Sequence, residues 1–307
     1  MSAFDVVALG EPLIEVSTRG KITHGVDCGF AVSGDVVNTA TAAVAAGARV
    51  AVVARVSDDE LGTAVIDHLA GLGVHTGHIR RDRGFQGIYV QHSDPKGDRQ
   101  FCYARSGSAG SRLAPEDLPD DVLESAGAVV VSGITASLSS TTRATVLAAA
   151  GRATRFVYDP NFRPRLTTAE DARALLLEIA PRCALITPSA PHECAALLGT
   201  SEAAEAAARL RTAGAAAVAV TCGAAGVHVD AETTYWQGAF AAPSVVDQTG
   251  AGDVFTGTVA ARLALGDETS DAVRIGAAAA SLAVGGVGGS GGIAPLEAVR
   301  AHAEVLA

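Results

Sequence analysis

Residues 247–253 read Asp-Gln-Thr-Gly-Ala-Gly-Asp and run straight into an apolar helical pattern over 250–265. A glycine-rich turn at a helix start exposes backbone N–H groups that the helix leaves unpaired. With the helix dipole these make an anion site. The small residues Gly250, Ala251 and Gly252 let a phosphate reach that backbone. Asp253 then falls in the first helical turn, beside the anion. A carboxylate there repels phosphate, so its use is as a general base that takes the proton from an attacking hydroxyl. Phosphoryl transfer asks for little beyond such a base, positioning and charge stabilisation. From spacing alone, an ordinary turn with Asp253 capping the helix explains the same residues as well.

Two other groups of residues carry chemistry. Tyr89, Tyr103 and Arg105 lie on two short predicted strands, and strand alternation puts Tyr103 and Arg105 on one face. Two phenols and a guanidinium suit hydroxyls and a carboxylate. Tyrosines packing a small core, with Arg105 solvated, is the plainer alternative. Asp159-Pro-Asn-Phe-Arg163-Pro-Arg165 follows a predicted strand, which brings Arg163 to the sheet's carboxyl edge, near a substrate or a transferring phosphate. No G-x-x-x-x-G-K-[ST] loop exists. Gly286-Val-Gly288-Gly-Ser-Gly291 matches G-x-G-x-x-G but follows a helix rather than a strand, so it is not a dinucleotide fingerprint.

The elements that must position these residues alternate. Apolar runs at 4–9, 49–55, 128–131, 156–159, 184–187 and 217–221 read as strands. Helical periodicity fills 35–46, 58–70, 139–150, 170–180, 192–198, 202–213, 250–265 and 271–284, with Ser33 or Asp35 as the cap of the first. Residues 227–230 and 233–236 look antiparallel. The pattern predicts an α/β fold with a mostly parallel central sheet and helices on both faces. Ligands in such sheets bind beyond the carboxyl ends of the strands. Strands at 87–91 and 100–104 flank Asp94-Pro-Lys-Gly97, which is strong turn chemistry, so a β-hairpin interrupts the alternation. Residues 12–32 lack helical periodicity and add strands to the same small sheet. We expect one domain over 1–307, with a β lid formed by about 12–32 and 85–106. An open lid sheet has a free edge and an apolar face, which suits a homo-oligomer through the lid.

Composition excludes several classes. The net charge is −10 and no basic run breaks it, so nucleic acid and anionic membrane surfaces are poor partners. The five cysteines are an odd number without C-x-x-C spacing, as in a reduced, cytoplasmic protein. Asp5 and Glu11 interrupt the place where a signal peptide's apolar region would fall, and the uncharged stretch 275–296 is too rich in Ala and Gly for a membrane span.

Residues 247–253 resemble the C-terminal signature of the PfkB (ribokinase-like) family of carbohydrate kinases, usually D-T-x-G-A-G-D, with Gln248 in place of the first Thr. Gly34-Asp-Val-Val-Asn38 resembles the family's N-terminal feature, with Ser33 where a first glycine is usual. The resemblance spans essentially the whole chain. It implies a ribokinase-like fold and Asp253 as the base, with the backbone of Gly250, Ala251 and Gly252 stabilising the transferring phosphoryl group. ATP and Mg²⁺ are the implied cofactors, with K⁺ near Asp247 as some members use a monovalent cation. Gly34 and Asn38 would hold sugar hydroxyls. Thr221, Gly223, Gly226, Gly250 and Gly252 would meet the nucleotide, and residues 286–292 would form a loop near the adenine. The family often has Asn-x-x-Glu where this chain has Ser189-Ala-Pro-His-Glu193; Glu193 remains the implied partner of the Mg²⁺ water shell. Ala277 stands where many members carry an Asn. The stretches around Tyr103–Arg105 and 159–166 resemble the family's 2-keto-3-deoxygluconate kinases, so the implied partner is a sugar acid, oriented by Tyr89, Tyr103, Arg105 and Arg163. Fructokinases share part of the Asp-Pro-Asn pattern, and a neutral ketose is the alternative. A nucleoside kinase, and a sugar sensor without catalysis, are further readings of the same fold; an intact Asp253 argues against the sensor.

Overall fold

The computed structural model describes residues 3–18, 20–93 and 99–304; the hairpin turn expected at 94–97 lies outside them. Thirteen strands form in chain order among those residues. They are β1 (Val6–Leu9), β2 (Leu13–Thr18), β3 (Gly29–Ser33), β4 (Val50–Ser57), β5 (Ile79–Asp82), β6 (Ile88–Ser93), β7 (Arg99–Ala104), β8 (Ala128–Ser132), β9 (Phe156–Asp159), β10 (Cys183–Ile186), β11 (Val218–Thr221), β12 (Val227–Asp230) and β13 (Thr234–Gln237).

The main sheet has nine strands in the order β13-β12-β11-β10-β9-β8-β1-β4-β5. Pairing is parallel throughout except at β11–β12 and β12–β13. Its central strands are apolar on both faces because helices cover both. Val6 and Ala8 join a core with the helices Asp35–Ala45, Ala251–Ala264 and Thr269–Ala283. Val7 and Leu9 join the opposite core with Ser140–Arg152, Ala169–Ile179 and Ala203–Thr212. The small sheet is β3-β2-β6-β7, with β2–β6 parallel and its other pairings antiparallel. Residues 12–32 thus supply two of its strands, as expected.

Several elements escape a reading of the sequence, the short helix Asp120–Ser125 among them. β5 is Ile-Arg-Arg-Asp, too charged to read as a strand; it is an edge strand whose arginines are exposed. Helix Leu296–Glu304 is short and polar apart from the face that buries Val299 and Ala303. Helix Gly133–Ala136 is a single turn after β8. The cap of the first helix also differs. Gly34, at φ 118°, is its N-cap without any side-chain cap bond. Neither Ser33 nor Asp35 caps it, because Ser33 Oγ bonds the Tyr89 hydroxyl instead, at 2.9 Å.

Candidate active site

The carboxyl ends of β1, β8, β9, β10 and β11 are followed by the polar residues Glu11, Ser132, Asp159 with Asn161, Thr187 and Thr221, and of these Asn161 and Thr187 bond side chains of helix Ala251–Ala264. This is the sheet edge where an α/β fold leaves room for ligands. Gly257, one turn beyond Asp253, sets the approach of two helices. A Cβ there would lie 2.3 Å from Thr39 O, so only glycine lets helix Asp35–Ala45 come this close to Ala251–Ala264. The result is that Asn38 reaches the acid. Asn38 Nδ2 donates to Asp253 Oδ2 at 2.8 Å.

Asp253 sits in the first turn of its helix, after Gly250 in the left-handed region at φ 79°. Its other oxygen accepts from Asn161 Nδ2 at 3.1 Å. Asn161 occupies left-handed backbone at φ 41°, which Asn tolerates, and its backbone N–H donates to Asp159 Oδ1 at 3.0 Å, closing an Asx turn made by Asp159. Asp253 is only 9% exposed. Burial, then the nearby Asp35 carboxylate, push its pKa up to about 7, against the opposing effects of Asn38, Arg163 and Asn161. An acid poised near neutrality is what general-base chemistry requires. The amides of Gly252 and Asp253 have no acceptor among the described residues, which fits an anion at this helix start.

The remaining expected residues fall as follows. Asp247 is buried, and its oxygens accept from the amides of Thr249 at 2.7 Å and Gly288 at 3.0 Å. It therefore ties the 286–292 loop to the anion turn, and any cation beside it shares oxygens that already serve amides. Glu193 is equally engaged: it accepts from the amides of Phe162 at 2.6 Å and Ser189 at 2.7 Å. It fixes the loop that carries Asn161 and Arg163. Among the described residues, no group of three or more His, Cys, Asp and Glu side chains is arranged to hold a metal ion. Burial raises the pKa of Asp35, Asp159 and Glu193 as well as Asp253, so four carboxylates compete for few cations. Arg163 is exposed, and its charge acts on all four. It thus lies on the side of the base rather than with the small sheet. Thr221 ends β11, and the turn Gly223–Ala225 with Gly226 follows, closed by Trp236 Nε1 donating to Ala225 O at 2.9 Å.

On the small sheet Tyr89 and Tyr103 are a cross-strand pair with ring centroids 5.8 Å apart. Arg105 Cζ lies 5.9 Å from the Tyr103 centroid, so the two do point together. Arg105 is not solvated. It is buried and paired with Glu11, with Nε to Oε2 at 2.8 Å and Nη2 to Oε2 at 2.6 Å. Tyr89 is buried too, its hydroxyl donating to Glu15, which also accepts from Gln91 Nε2 at 2.6 Å. Sequence reading missed Asn161, Asp35 and Glu15. The left-handed Asn after Asp-Pro was the available signal for Asn161; the other two needed the folded chain.

The model of the pfkB family carbohydrate kinases matches residues 4–295. A 2-dehydro-3-deoxygluconokinase from Thermoproteus tenax is 34% identical over 291 residues, which span 91% of this chain and 88% of that protein. A 2-dehydro-3-deoxygalactonokinase from Haloferax volcanii is 28% identical, over 91% of this chain and 90% of its own length. The solved structure of Arabidopsis thaliana ribokinase, complexed with ribose and ATP, superposes with a TM-score of 0.82 at 21% identity, over 99% of each chain. The nine-stranded sheet with its small companion is thus ribokinase-like, and the chain belongs to the pfkB family of carbohydrate kinases, phosphotransferases that act on a sugar.

Proposed function

We propose that the chain transfers the γ-phosphate of ATP to the terminal (C6) hydroxyl of 2-keto-3-deoxygluconate. The observation that carries the transfer chemistry is Asp253, a buried carboxyl with a pKa near neutrality, gripped by Asn38 and Asn161 at a helix start with open amides. Asp253 takes the hydroxyl proton. The turn Gly250, Ala251 and Gly252 receives the charge that builds on the phosphoryl oxygens, and Arg163 faces it from the β9 loop. Mg²⁺ would come with the nucleotide, supply charge neutralisation of its phosphates and offset the four crowded carboxylates. The exposed apolar residues Val245, Val246 and Val287 suit an adenine ring. Gly34 and Asn38 hold the sugar; Tyr89, Tyr103 and Arg105 orient its acid end. The small sheet acts as a lid that keeps water from the phosphoryl group. A second acceptor, the C4 epimer 2-keto-3-deoxygalactonate, is favoured by the likeness to the Haloferax protein.

An ATP-coupled assay over 2-keto-3-deoxygluconate, its C4 epimer, fructose, ribose and adenosine tests this. The sugar acids are expected to give the highest kcat/KM; fructose in first place would refute the substrate. Arg105→Lys keeps a positive charge against Glu11 but loses the two-pronged fit to a carboxylate. It is expected to lower kcat/KM for the sugar acid about tenfold, in keeping with one charge-assisted hydrogen bond, while changing fructose far less. Equal losses would remove the carboxylate from Arg105.

The face of the small sheet that carries Phe30, Val16, Val90 and Cys102 lies opposite Tyr89. Phe30 is 56% exposed and Cys102 is exposed. We propose that a second copy of the chain covers it. Phe30→Asp should turn a dimer into a monomer by sedimentation or light scattering; a wild-type monomer at micromolar concentration contradicts the proposal.

A further inference from the structure

Two acceptor atoms near the base lack a donor. Asp35 Oδ2 and Asn38 Oδ1 are buried without a hydrogen-bond partner among the described residues. Their residues are only 7% and 3% exposed. Buried polar atoms are nearly always paired, and an unpaired carboxylate oxygen is among the least favourable exceptions. Asp35 and Asn38 are three residues apart on helix Asp35–Ala45, so their side chains are neighbours on one face. Asn38 already donates to Asp253 at 2.8 Å, which fixes its open oxygen beside the base. Asp35 is close enough to act electrostatically on Asp253 and Glu11, and Arg105, Arg163 and Ser132 act on it in turn. None of these fills Oδ2. What the site lacks is a pair of donors next to the place where the reacting hydroxyl must stand.

We infer that Asp35 Oδ2 accepts the proton of the hydroxyl on the acceptor carbon adjacent to the one that is phosphorylated. The site therefore reads a vicinal diol: one hydroxyl reaches Asp253 and its neighbour donates to Asp35, next to Asn38. In 2-keto-3-deoxygluconate that neighbour is the C5 hydroxyl. The inference rests on the kinase reading of the site and goes beyond it, because it names a specificity-determining carboxylate and the feature it selects.

The test compares 2-keto-3-deoxygluconate with its 5-deoxy analogue in the wild type, Asp35→Ala and Asp35→Asn. If the coupled assay identifies a different best acceptor, that sugar and its matching deoxy analogue take their place. The wild type is expected to prefer the parent sugar by on the order of 10- to 100-fold in kcat/KM, the range of one charge-assisted hydrogen bond. In Asp35→Ala that ratio should shrink at least fivefold, in keeping with loss of that bond, with KM for ATP unchanged. A merely structural defect lowers both sugars together and leaves the ratio as it was. An unchanged ratio in the variants, or no preference in the wild type, overturns the inference. Asp35→Asn has nearly the same shape and carries the comparison if the alanine variant does not fold. Calorimetric binding of the same two sugars is read in parallel. Absence of turnover with every acceptor would sink the kinase reading while still leaving the hydroxyl contact measured.

Discussion

Asp253→Asn is expected to lower kcat by about 10²- to 10⁴-fold, the range of a lost general base, with KM for sugar and ATP little changed. The asparagine keeps the shape and one of the two accepted bonds, and its amide nitrogen can donate to Asn38 Oδ1 if that amide turns over, so binding survives while proton removal does not. A variant that retains most of its kcat would show that another group takes the proton. The same residue sets the pH dependence. Its folded pKa of about 7 lies above its ordinary value of 3.8, so the base is ionised only toward neutral and alkaline pH. The acid limb of kcat/KM should therefore fall near pH 7 rather than near pH 4; a flat profile down to pH 5 contradicts the assignment. The stability effect has the opposite sign. A carboxyl whose pKa is raised on folding binds its proton more tightly in the folded state, so it weakens the fold progressively as pH rises from 3.8 to about 7. Above that range Asp253→Asn should melt at or above the wild-type Tm. A base that destabilises its own fold is a mark of a site shaped for chemistry.

Gly250→Ala is expected to remove on the order of 10²- to 10³-fold of kcat, as for loss of one aimed backbone donor. Gly250 is in left-handed backbone at φ 79°, and a Cβ there would lie 2.5 Å from Gly289 O and 2.7 Å from Gly289 Cα. Backbone on both sides must then move: the anion turn and the 286–292 loop that Asp247 clamps to it through Gly288. The left-handed conformation adds roughly 1–2 kcal/mol for any residue with a Cβ. Activity and Tm should both fall, and KM for ATP should rise. Gly151→Ala, on helix Ser140–Arg152 outside the site, is the control, because a Cβ at Gly151 meets nothing within 4 Å. If both variants lose activity equally, the loss does not come from the clash with Gly289.

How much of this was legible in the sequence differs between fold and site. The parallel sheet could be read because its strands are buried on both faces and so appear as unbroken apolar runs, as in residues 50–54 of β4. β5 could not, since an edge strand with exposed arginines carries no apolar signal. Asp253 and its glycine turn were legible because anion binding at a helix start depends on adjacent residues. Arg105 stood out in the sequence as a candidate, but not as half of a buried pair, because its partner Glu11 is distant in sequence. Asn161 meets Asp253 across 92 residues and Asp35 acts on it from another helix, so the Asp-Pro-Asn pattern shows the turn but not the contact. Glu193, expected beside a metal's water, holds backbone amides of two loops, which only the three-dimensional path of the chain reveals.

The most direct measurement is the identity of the product formed from 2-keto-3-deoxygluconate and ATP–Mg²⁺, followed by ³¹P and ¹³C NMR. The account predicts one ADP for each sugar phosphate, with the new phosphorus coupled to C6 and no product above background in Asp253→Asn. Phosphate on any other oxygen, or ATP consumed without a sugar phosphate, would contradict it.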